Sequence, residues 1–391
     1  MVRFETSHFQ VDPDKIIGIL HEHFVPDYCV QSESGDNSVS KCLDSQSPPL
    51  NNTAMSKRKL TRRQSWRIDK IQEERAKRAD KRAGSADDAL SAGDLGPERE
   101  GLIVAHFGTQ VEVESEPGQR QRCHIRANLE GMVTGDRVIW RQGEPTGVVV
   151  AQLERNSVLS RPDPYGKIKP VAANIDQIIL VMASSPEPHA NLIDRYLVAA
   201  ETVGIEPVIL LNKTDLLDDD PQRRAHIDQL LEVYPTLGYQ VLHASVTSER
   251  GMDEFLAQLR DRTSVFVGQS GVGKSSLINV LLPELDLRVG ALSESTNKGV
   301  HTTTTARLFH LPSGGVLIDS PGIREFGLWH MTRQQIEAGF REFHPLLGTC
   351  KFRNCKHQQE PQCAILAAVE SGAVSQRRLN SYRQMVDSLE D

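Results

Sequence analysis

Eight residues, Gly268–Ser275, constrain the fold of this chain more than any other feature of its sequence. They read Gly-Gln-Ser-Gly-Val-Gly-Lys-Ser, which is the spacing of a phosphate-binding loop. The run Ser264–Val267 before them predicts a strand and Lys274–Leu282 after them predicts a helix, which is the context that the motif requires. Glycines here let backbone N–H groups wrap around phosphate oxygens without a Cβ clash. The chain therefore has to contain an α/β sheet with this loop at its edge.

The side chains of the loop indicate what it binds. We expect the Lys274 ammonium group to reach the β- and γ-phosphates of a nucleoside triphosphate, and the Ser275 hydroxyl to ligate Mg²⁺. The residues that we expect to contact the nucleotide in this loop are Gly268, Gln269, Ser270, Gly271, Val272, Gly273, Lys274, Ser275 and Ser276.

A second motif identifies the base. It follows the predicted strand Pro207–Leu211 and consists of Asn212, Lys213, Thr214 and Asp215. The carboxylate of Asp215 can accept hydrogen bonds from N1–H and the 2-amino group of guanine, whereas adenine offers no such pair of donors. Asn212 can fix the loop, and the stem of Lys213 can cover the plane of the base. Together with the phosphate loop, this motif predicts GTP as the nucleotide.

Two later segments fit the γ-phosphate and the magnesium ion. Asp319 follows the predicted strand Val316–Ile318, where it can hold Mg²⁺ through water, and Gly322 can sense the γ-phosphate through its backbone N–H. A threonine-rich loop between the two motifs can supply a second hydroxyl to Mg²⁺, from Thr302 or Thr303. The sequence does not decide between these two threonines.

The order of these segments is not that of a conventional GTPase. The guanine motif Asn212–Asp215 precedes the phosphate loop, and so does the pair Ala244 and Ser245, which fits a loop that contacts guanine O6 through backbone N–H groups. In a conventional GTPase both segments follow the phosphate loop. The sequence therefore predicts a circularly permuted α/β P-loop GTPase domain, which we place at residues 161–326.

Alternating strands and helices support this domain, because the pattern is typical of a mostly parallel sheet covered by helices on both faces. The predicted strands are Gln177–Ala183, Pro207–Leu211, Tyr239–Ala244, Ser264–Val267, Ala306–His310 and Val316–Ile318. The predicted helices are Leu192–Val203, Pro221–Val233, Met252–Leu259 and Lys274–Leu282.

Residues 100–160 predict a smaller domain of a different kind. They contain short alternating runs separated by turns with Gly or Pro. The five predicted strands are Leu102–Ala105, Gln110–Glu114, Arg122–Arg126, Asp136–Trp140 and Gly147–Val150. Short strands in this number suit an OB-like β-barrel. A small β module without a ligand is the alternative, since no face with interleaved aromatic and basic residues is visible.

A cluster of metal-binding residue types lies within residues 327–391, a segment that otherwise predicts helices. Cys350, Cys355, His357 and Cys363 have the spacing C-x4-C-x-H-x5-C. Three thiolates and an imidazole complete a tetrahedral zinc shell without an open position, so the pattern predicts one structural Zn²⁺. Unliganded cysteines of a hydrophobic core are the alternative.

Positive charge is concentrated in two places, although the whole chain has a net charge of −7. Residues 55–83 contain twelve Lys or Arg against four Asp or Glu. We expect the segment 55–99 to consist of a basic arm that binds RNA phosphates and of a linker, Gly84–Arg99. A solvated tail is the alternative for the arm. Arg377, Arg378 and Arg383 predict a basic face on the last helix, which either contacts RNA or is solvated.

The N-terminal residues 1–54 carry no recognisable chemistry. Met55 is followed by Ser-Lys-Arg-Lys, which looks like a natural start. We hypothesise that 1–54 is a disordered extension or the product of a misassigned start. The sequence shows no signal-peptide pattern at Met1 and no apolar stretch that is long enough to span a membrane. Together with cysteines grouped for metal binding, this predicts a cytoplasmic protein without membrane contact.

The motifs resemble those of the bacterial ribosome small-subunit-dependent GTPases, the RsgA/YjeQ family, over residues 55–391. The resemblance rests on the phosphate loop, the run His301–Thr304, the run Asp319–Gly322 and the Cys/His set. It also rests on the order of basic arm, barrel, permuted GTPase domain and zinc module.

This resemblance implies a function. It implies a GTP hydrolase that is stimulated by the small (30S) ribosomal subunit and acts in the late maturation of that subunit. The implied partners are the 30S subunit, its 16S rRNA and GTP or GDP, with Mg²⁺ bound to GTP, and we expect a monomer. A nucleotide-gated RNA-binding protein with little catalysis is the alternative.

The catalytic group has to come from outside the usual position. Ile323 stands directly after Gly322, where many GTPases place a glutamine that orients water, and its side chain cannot hydrogen-bond to water. His301 lies beside the threonines of the loop, and the resemblance implies the catalytic role for it. A neutral imidazole can orient water and stabilise developing charge. The alternative is an exposed loop histidine without a role.

We predict that His301→Ala keeps GTP binding but loses most GTP hydrolysis, because the variant keeps the groups that hold the phosphates and lacks the imidazole. A nucleotide titration and a single-turnover hydrolysis assay on the same preparation measure the two properties separately. Wild-type turnover in the variant would contradict the assignment.

Overall fold

Five strands near the start of the described chain close into a barrel. The computed structural model describes residues 95–129, 131–162, 167–283, 306–319 and 331–389. The barrel strands are β1 (Glu98–Phe107), β2 (Gln110–Glu116), β3 (Gln119–Ile125), β4 (Arg137–Arg141) and β5 (Gly147–Gln152). β1 pairs with β2 and β4, β3 pairs with β2 and β5, and β4 pairs with β5, which completes the ring. The five-stranded barrel predicted from the sequence is confirmed.

Alternating side chains fill the interior of the barrel. Val111 and Val113 of β2 are fully buried, and Trp140 of β4 packs in the same cluster. Cys123 of β3 is buried beside them, and burial raises the pKa of its thiol to about 12. This cysteine is therefore a packing residue of the barrel core.

A two-stranded hairpin connects the barrel to the next domain. It consists of β6 (Val158–Pro162) and β7 (Ile168–Ala173), which pair antiparallel. This hairpin was not predicted, because Pro162 and Pro170 weaken the strand pattern. The domain boundary that we placed after residue 160 falls inside β6.

A mostly parallel sheet of six strands follows. Its strands are β8 (Gln177–Ala183), β9 (Glu206–Asn212), β10 (Gln240–His243), β11 (Thr263–Val267), β12 (Arg307–His310) and β13 (Val316–Asp319). Their spatial order is β10-β9-β8-β11-β13-β12, and β12 pairs antiparallel with β13. All six predicted strands are present, each within one residue of its predicted bounds.

Helices cover both faces of this sheet. The helices are Ala190–Thr202, Pro221–Leu231, Val233–Thr236, Met252–Leu259 and Lys274–Leu281, and Thr214–Leu217 forms a 3-10 turn. The predicted helix Pro221–Val233 ends earlier, at Leu231. Pro235 has no backbone N–H to donate to the carbonyl four residues before it, so the chain breaks into two helices.

Strand β8 lies at the centre of this domain and is buried along its whole length. Ile178 and Leu180 belong to the hydrophobic cluster on one face of the sheet, and Ile179 and Val181 to the cluster on the other. A strand with apolar side chains on both faces is typical of a parallel sheet between two helical layers.

The barrel and the parallel sheet are joined at one edge. β1 pairs antiparallel with β12 at Ala105 and Arg307. Beside this pairing, the buried carboxylate of Glu114 is hydrogen-bonded by His310 and, over 3.0 Å, by Arg120. Burial raises the pKa of the Glu114 carboxyl, but the hydrogen bonds outweigh it and hold the pKa below its usual value.

The C-terminal residues form a helical module around an aromatic core. Its elements are the helices Arg333–Ala338, Ala364–Glu370 and Gln376–Asp387 and the 3-10 turn Arg341–Leu346. Phe340, Phe343 and Tyr382 pack with ring centroids 4.9–5.8 Å apart. Among the helices of the described ranges, none is long and apolar enough to cross a membrane.

A buried arginine attaches this module to the GTPase domain. The Arg378 guanidinium, which is 0% exposed, donates to Asp194 over 2.6 Å and to both carboxylate oxygens of Glu342 over 2.6 and 3.0 Å. The Tyr234 hydroxyl donates to the same oxygen of Asp194 over 2.8 Å. Although burial opposes the charged form, the two carboxylates raise the pKa of Arg378 above its usual value. The prediction that Arg378 contributes to an outer basic face of the last helix is therefore wrong.

We predict that Arg378→Met destabilises the C-terminal module by about 3–5 kcal/mol, because it leaves Asp194 and Glu342 without their buried cation. Native-state hydrogen exchange of the Gln376–Asp387 helix measures this free energy. The matched control is Arg353→Met, the same substitution at an exposed arginine of the same module, with an expected change of less than about 0.5 kcal/mol. Equal protection in the two variants would contradict the prediction.

Candidate functional site

The parallel sheet brings distant parts of the chain together at one edge. β9, β8, β11 and β13 are hydrogen-bonded neighbours that run in the same direction. Their carboxyl ends therefore meet, and this is where open α/β sheets bind ligands. Asn212 ends β9, the phosphate loop follows Val267 at the end of β11, and Asp319 ends β13. The predicted nucleotide residues in the described ranges thus lie along a single edge.

Three glycines shape the phosphate loop. Gly268, Gly271 and Gly273 have φ angles of 136°, 82° and 94°, a region that side chains disfavour. A Cβ at Gly268 would lie 2.1 Å from the Val181 carbonyl oxygen, and one at Gly273 would lie 2.4 Å from Nδ2 of Asn212. The close approach of the loop to β8 and to the guanine motif therefore requires glycine at positions 268 and 273.

The helix after the loop begins at Lys274. The Lys274 ammonium group donates to the carbonyl oxygens of Gly268 and Gln269 over 2.6 and 2.5 Å. Ser275 and Ser276 stand in the first turn, where backbone N–H groups have no partner inside the helix. Such a helix start attracts anions, and the ammonium group adds positive charge to it. The geometry is therefore that of a phosphate site.

Two side chains of the guanine motif are hydrogen-bonded to the phosphate loop. Nδ2 of Asn212 donates to the Val272 carbonyl oxygen over 2.9 Å. Nζ of Lys213 donates to the carbonyl oxygens of Gly271 and Ser185 over 2.6 and 2.7 Å. The motif and the phosphate loop are thus held in a fixed relation.

The loop after β10 packs against the predicted guanine motif. Thr214 donates its hydroxyl to the Ala244 carbonyl oxygen over 3.1 Å. The Ser245 hydroxyl donates to the Asp215 carboxylate over 2.5 Å. Ser245 is fully buried, so it fixes the carboxylate from inside the protein. These contacts bring Asp215, Ala244 and Ser245 together, while the predicted contact of the loop with guanine O6 stays a prediction.

Four predicted site residues lie outside the described residues. These are the candidate catalytic residue, the two candidate magnesium-binding threonines and the glycine expected at the γ-phosphate, namely His301, Thr302, Thr303 and Gly322. Their roles stay predictions.

The predicted metal-binding residues converge in the C-terminal module. The ligand atoms of Cys350, Cys355, His357 and Cys363 all lie within 4.8 Å of one another. The Sγ atom of Cys350 is 3.9 Å from that of Cys363 and 3.7 Å from Nδ1 of His357. Sulfur atoms bound to one tetrahedral zinc ion at about 2.3 Å are about 3.8 Å apart. The donor set and its spacing thus fit a metal ion.

Neighbouring side chains hold this cluster in place. Nε2 of His357 lies 3.1 Å from the Glu337 carboxylate, so Nδ1 is the ring nitrogen that faces the thiols. Arg333 donates to the Cys355 carbonyl oxygen over 2.6 Å, and Arg383 donates to that of His357 over 2.6 Å. Burial raises the pKa of the Cys355 thiol to about 12, and a bound cation would favour the thiolate.

Sequence reasoning missed two parts of these sites. The first is the pair Ser184 and Ser185 after β8, which contacts Lys213. The position of two serines directly after an apolar strand next to the phosphate-loop strand was the available signal. The second is Glu337, which is distant from the Cys/His motif in the chain and belongs to no motif.

The sheet order and the site define the class of this protein. The phosphate loop follows the central strand β11, yet the guanine motif after β9 comes earlier in the chain. The protein is a circularly permuted P-loop GTPase.

Comparisons with known proteins identify the family. The family model for the RsgA GTPase matches residues 152–329. The chain is 61% identical over 340 residues to the small ribosomal subunit biogenesis GTPase RsgA of Pseudomonas fluorescens strain SBW25, a match covering 86% of this chain and 98% of the relative. The namesake protein of Pseudomonas aeruginosa strain LESB58 is 61% identical over 336 residues, with the same coverage of both chains. This protein belongs to the RsgA family of GTPases.

Solved structures agree with this family. The crystal structure of YjeQ from Thermotoga maritima matches with a TM-score of 0.61 and 32% identity over 75% of this chain and 99% of that one. The structure of YloQ, described as a circularly permuted GTPase, matches with a TM-score of 0.60 and 29% identity over 75% of this chain and 96% of that one. The permuted order of the sheet is thus shared with these proteins.

Proposed function

We propose that this protein hydrolyses GTP on the small ribosomal subunit and acts in the late maturation of that subunit. The observation that carries the proposal is a phosphate loop held beside the predicted guanine motif, in a chain that matches RsgA relatives over 98% of their length. Those relatives bear the name small ribosomal subunit biogenesis GTPase. The protein acts in the cytoplasm as a monomer, and its partners are the 30S subunit and 16S rRNA.

In the proposed site, each predicted residue has one task. Lys274 neutralises charge on the β- and γ-phosphates, and Ser275 supplies a hydroxyl to the Mg²⁺ ion that accompanies GTP. Asp319, at the end of β13, holds that ion through water. Asp215 recognises the edge of the guanine base, and Asn212 holds the guanine motif against the phosphate loop. His301 orients the attacking water, with Thr302 or Thr303 as the second hydroxyl ligand of Mg²⁺ and Gly322 at the γ-phosphate.

The Cys/His cluster holds a structural zinc ion in this proposal. Cys350, Cys355, His357 and Cys363 supply four donors, so no position is left for a reacting water. Through these four residues a bound ion would fix the segment between the 3-10 turn and the helix Ala364–Glu370. Glu337 orients the imidazole, as carboxylates often do for metal-bound histidines.

The zinc segment presents an RNA-binding surface. Lys351, Phe352, Arg353 and Lys356 are exposed around the cluster. The Lys351 ammonium group lies 5.7 Å from the Phe352 ring centroid, and that ring is 42% exposed. Basic groups around an exposed aromatic ring suit phosphates and an unstacked base. The basic arm at 55–99 adds further phosphate contacts.

We predict that purified 30S subunits raise the rate of GTP hydrolysis by the full chain at least about tenfold, whereas 50S subunits and bare rRNA do not. The physical reason is that the site lacks a glutamine after Gly322, so subunit binding has to complete it. The measurement is steady-state phosphate release. Lys274→Ala, which loses the phosphate-binding cation, is the control and should show no stimulation.

Tight GTP binding without stimulation by 30S subunits would contradict this function and leave a nucleotide-gated RNA-binding protein. A parallel assay with a chain that begins at Met55 tests whether residues 1–54 are dispensable. Loss of stimulation in the shortened chain alone would assign a role to these residues.

We predict that Cys355→Ser reduces bound zinc from about one ion per chain to near zero, because a tetrahedral site loses an essential thiolate. A colorimetric chelator assay on the unfolded protein counts the zinc. Cys123→Ser, a change to a buried cysteine of the barrel, is the matched control and should keep its zinc. Equal zinc content in both variants would show that the cluster is not the metal site.

A further inference from the structure

One buried hydroxyl holds the backbone of the guanine motif. Ser184 directly follows β8 and is 0% exposed. Its hydroxyl donates to the Lys213 carbonyl oxygen over 2.7 Å, and its backbone N–H donates to the Asn212 carbonyl oxygen over 3.2 Å. Because both of its donors bond to backbone carbonyls of the guanine motif, Ser184 connects the end of β8 to that motif.

Lys213, whose carbonyl oxygen accepts from Ser184, has an unusual backbone conformation. Lys213 has φ 60° and ψ 36°, in the left-handed region that residues other than glycine seldom adopt. Such a conformation persists only where the surroundings fix it. Ser184 fixes the carbonyl of Lys213, and the neighbouring Ser185 accepts from its ammonium group. Hydrogen bonds to the two serines therefore restrain both the backbone carbonyl and the ammonium group of Lys213.

The direction of the chain after Lys213 decides where Asp215 lies. The next residue, Thr214, is tied by its N–H and its hydroxyl to the Ala244 carbonyl oxygen. Asp215 then accepts from Ser245. If the Lys213 carbonyl lost its partner, the peptide between Lys213 and Thr214 would keep only the N–H contact to Ala244, and the carboxylate of Asp215 would shift relative to the base.

We propose that Ser184 is a positioning residue for guanine specificity. By holding the Lys213 carbonyl, it places the Asp215 carboxylate where it meets the N1–H and the 2-amino group of the base. Ser184 itself does not contact the nucleotide. The inference rests on the proposed role of Asp215 in guanine recognition and adds a residue that belongs to none of the GTPase motifs.

The test compares two nucleotides that differ in one group. Inosine diphosphate keeps N1–H and lacks the 2-amino group of GDP, so the ratio of their dissociation constants reports the placement of the carboxylate. We expect Ser184→Ala to weaken GDP binding about 5- to 30-fold, because the displaced Asp215 carboxylate loses a hydrogen bond to the base. We also expect the ratio of the dissociation constant of inosine diphosphate to that of GDP to fall towards one. Competition against a fluorescent GDP analogue measures both constants on the full chain.

Two variants make the test specific. Ser157→Ala removes another hydroxyl that donates to a backbone carbonyl, that of Ile175, over 2.7 Å and away from the site; it should leave both constants unchanged. Ser184→Cys keeps a weak donor of similar size and should fall between alanine and the wild type.

The outcomes separate the inference from the proposed function. A wild-type protein without preference for GDP would contradict guanine recognition itself. A wild-type preference that stays unchanged in Ser184→Ala, or a uniform loss of affinity for both nucleotides, would overturn the role of Ser184 alone.

Discussion

The backbone hydrogen bonds of the parallel sheet are the constraint on which the site depends. They align β9, β8, β11 and β13 so that their carboxyl ends form one edge, whatever the order of the strands along the chain. Circular permutation leaves this pairing intact, since the sheet depends on neighbours in space. The guanine motif can therefore precede the phosphate loop and still meet it. β8, buried on both faces, is the strand that holds the two apart at the right distance.

The other parts of the molecule attach to this sheet at different places. The barrel joins the edge strand β12 through β1 and the carboxylate of Glu114. The C-terminal module packs on the helix Ala190–Thr202, which follows the serines after β8. Each attachment is thus a short distance along the chain from the nucleotide edge. The zinc segment and the proposed GTP site therefore share one framework.

The sequence predicted those parts of the structure that depend on local pattern. β8 and the helix Met252–Leu259 have their predicted bounds, because apolar runs and helical periodicity are local signals. The hairpin β6–β7 was missed, since its prolines hide the strand pattern. Arg378 was misplaced on the surface and Ser184 was overlooked, because burial and partnership depend on segments that are far away in the chain. Motifs identify residues that touch a ligand; the residues that support them have no motif.

The cluster around Arg378 has a consequence for the history of this family. Its guanidinium is the shared cation of carboxylates from two other segments, at Asp194 and Glu342. Replacing Arg378 by a neutral residue leaves both carboxylates enclosed without their cation, whereas replacing either carboxylate still leaves one ion pair. Over evolutionary time the arginine should consequently be the least exchangeable of the three positions. The attachment of the C-terminal module thus depends on a single residue, although Asp194 and Arg378 are almost two hundred residues apart.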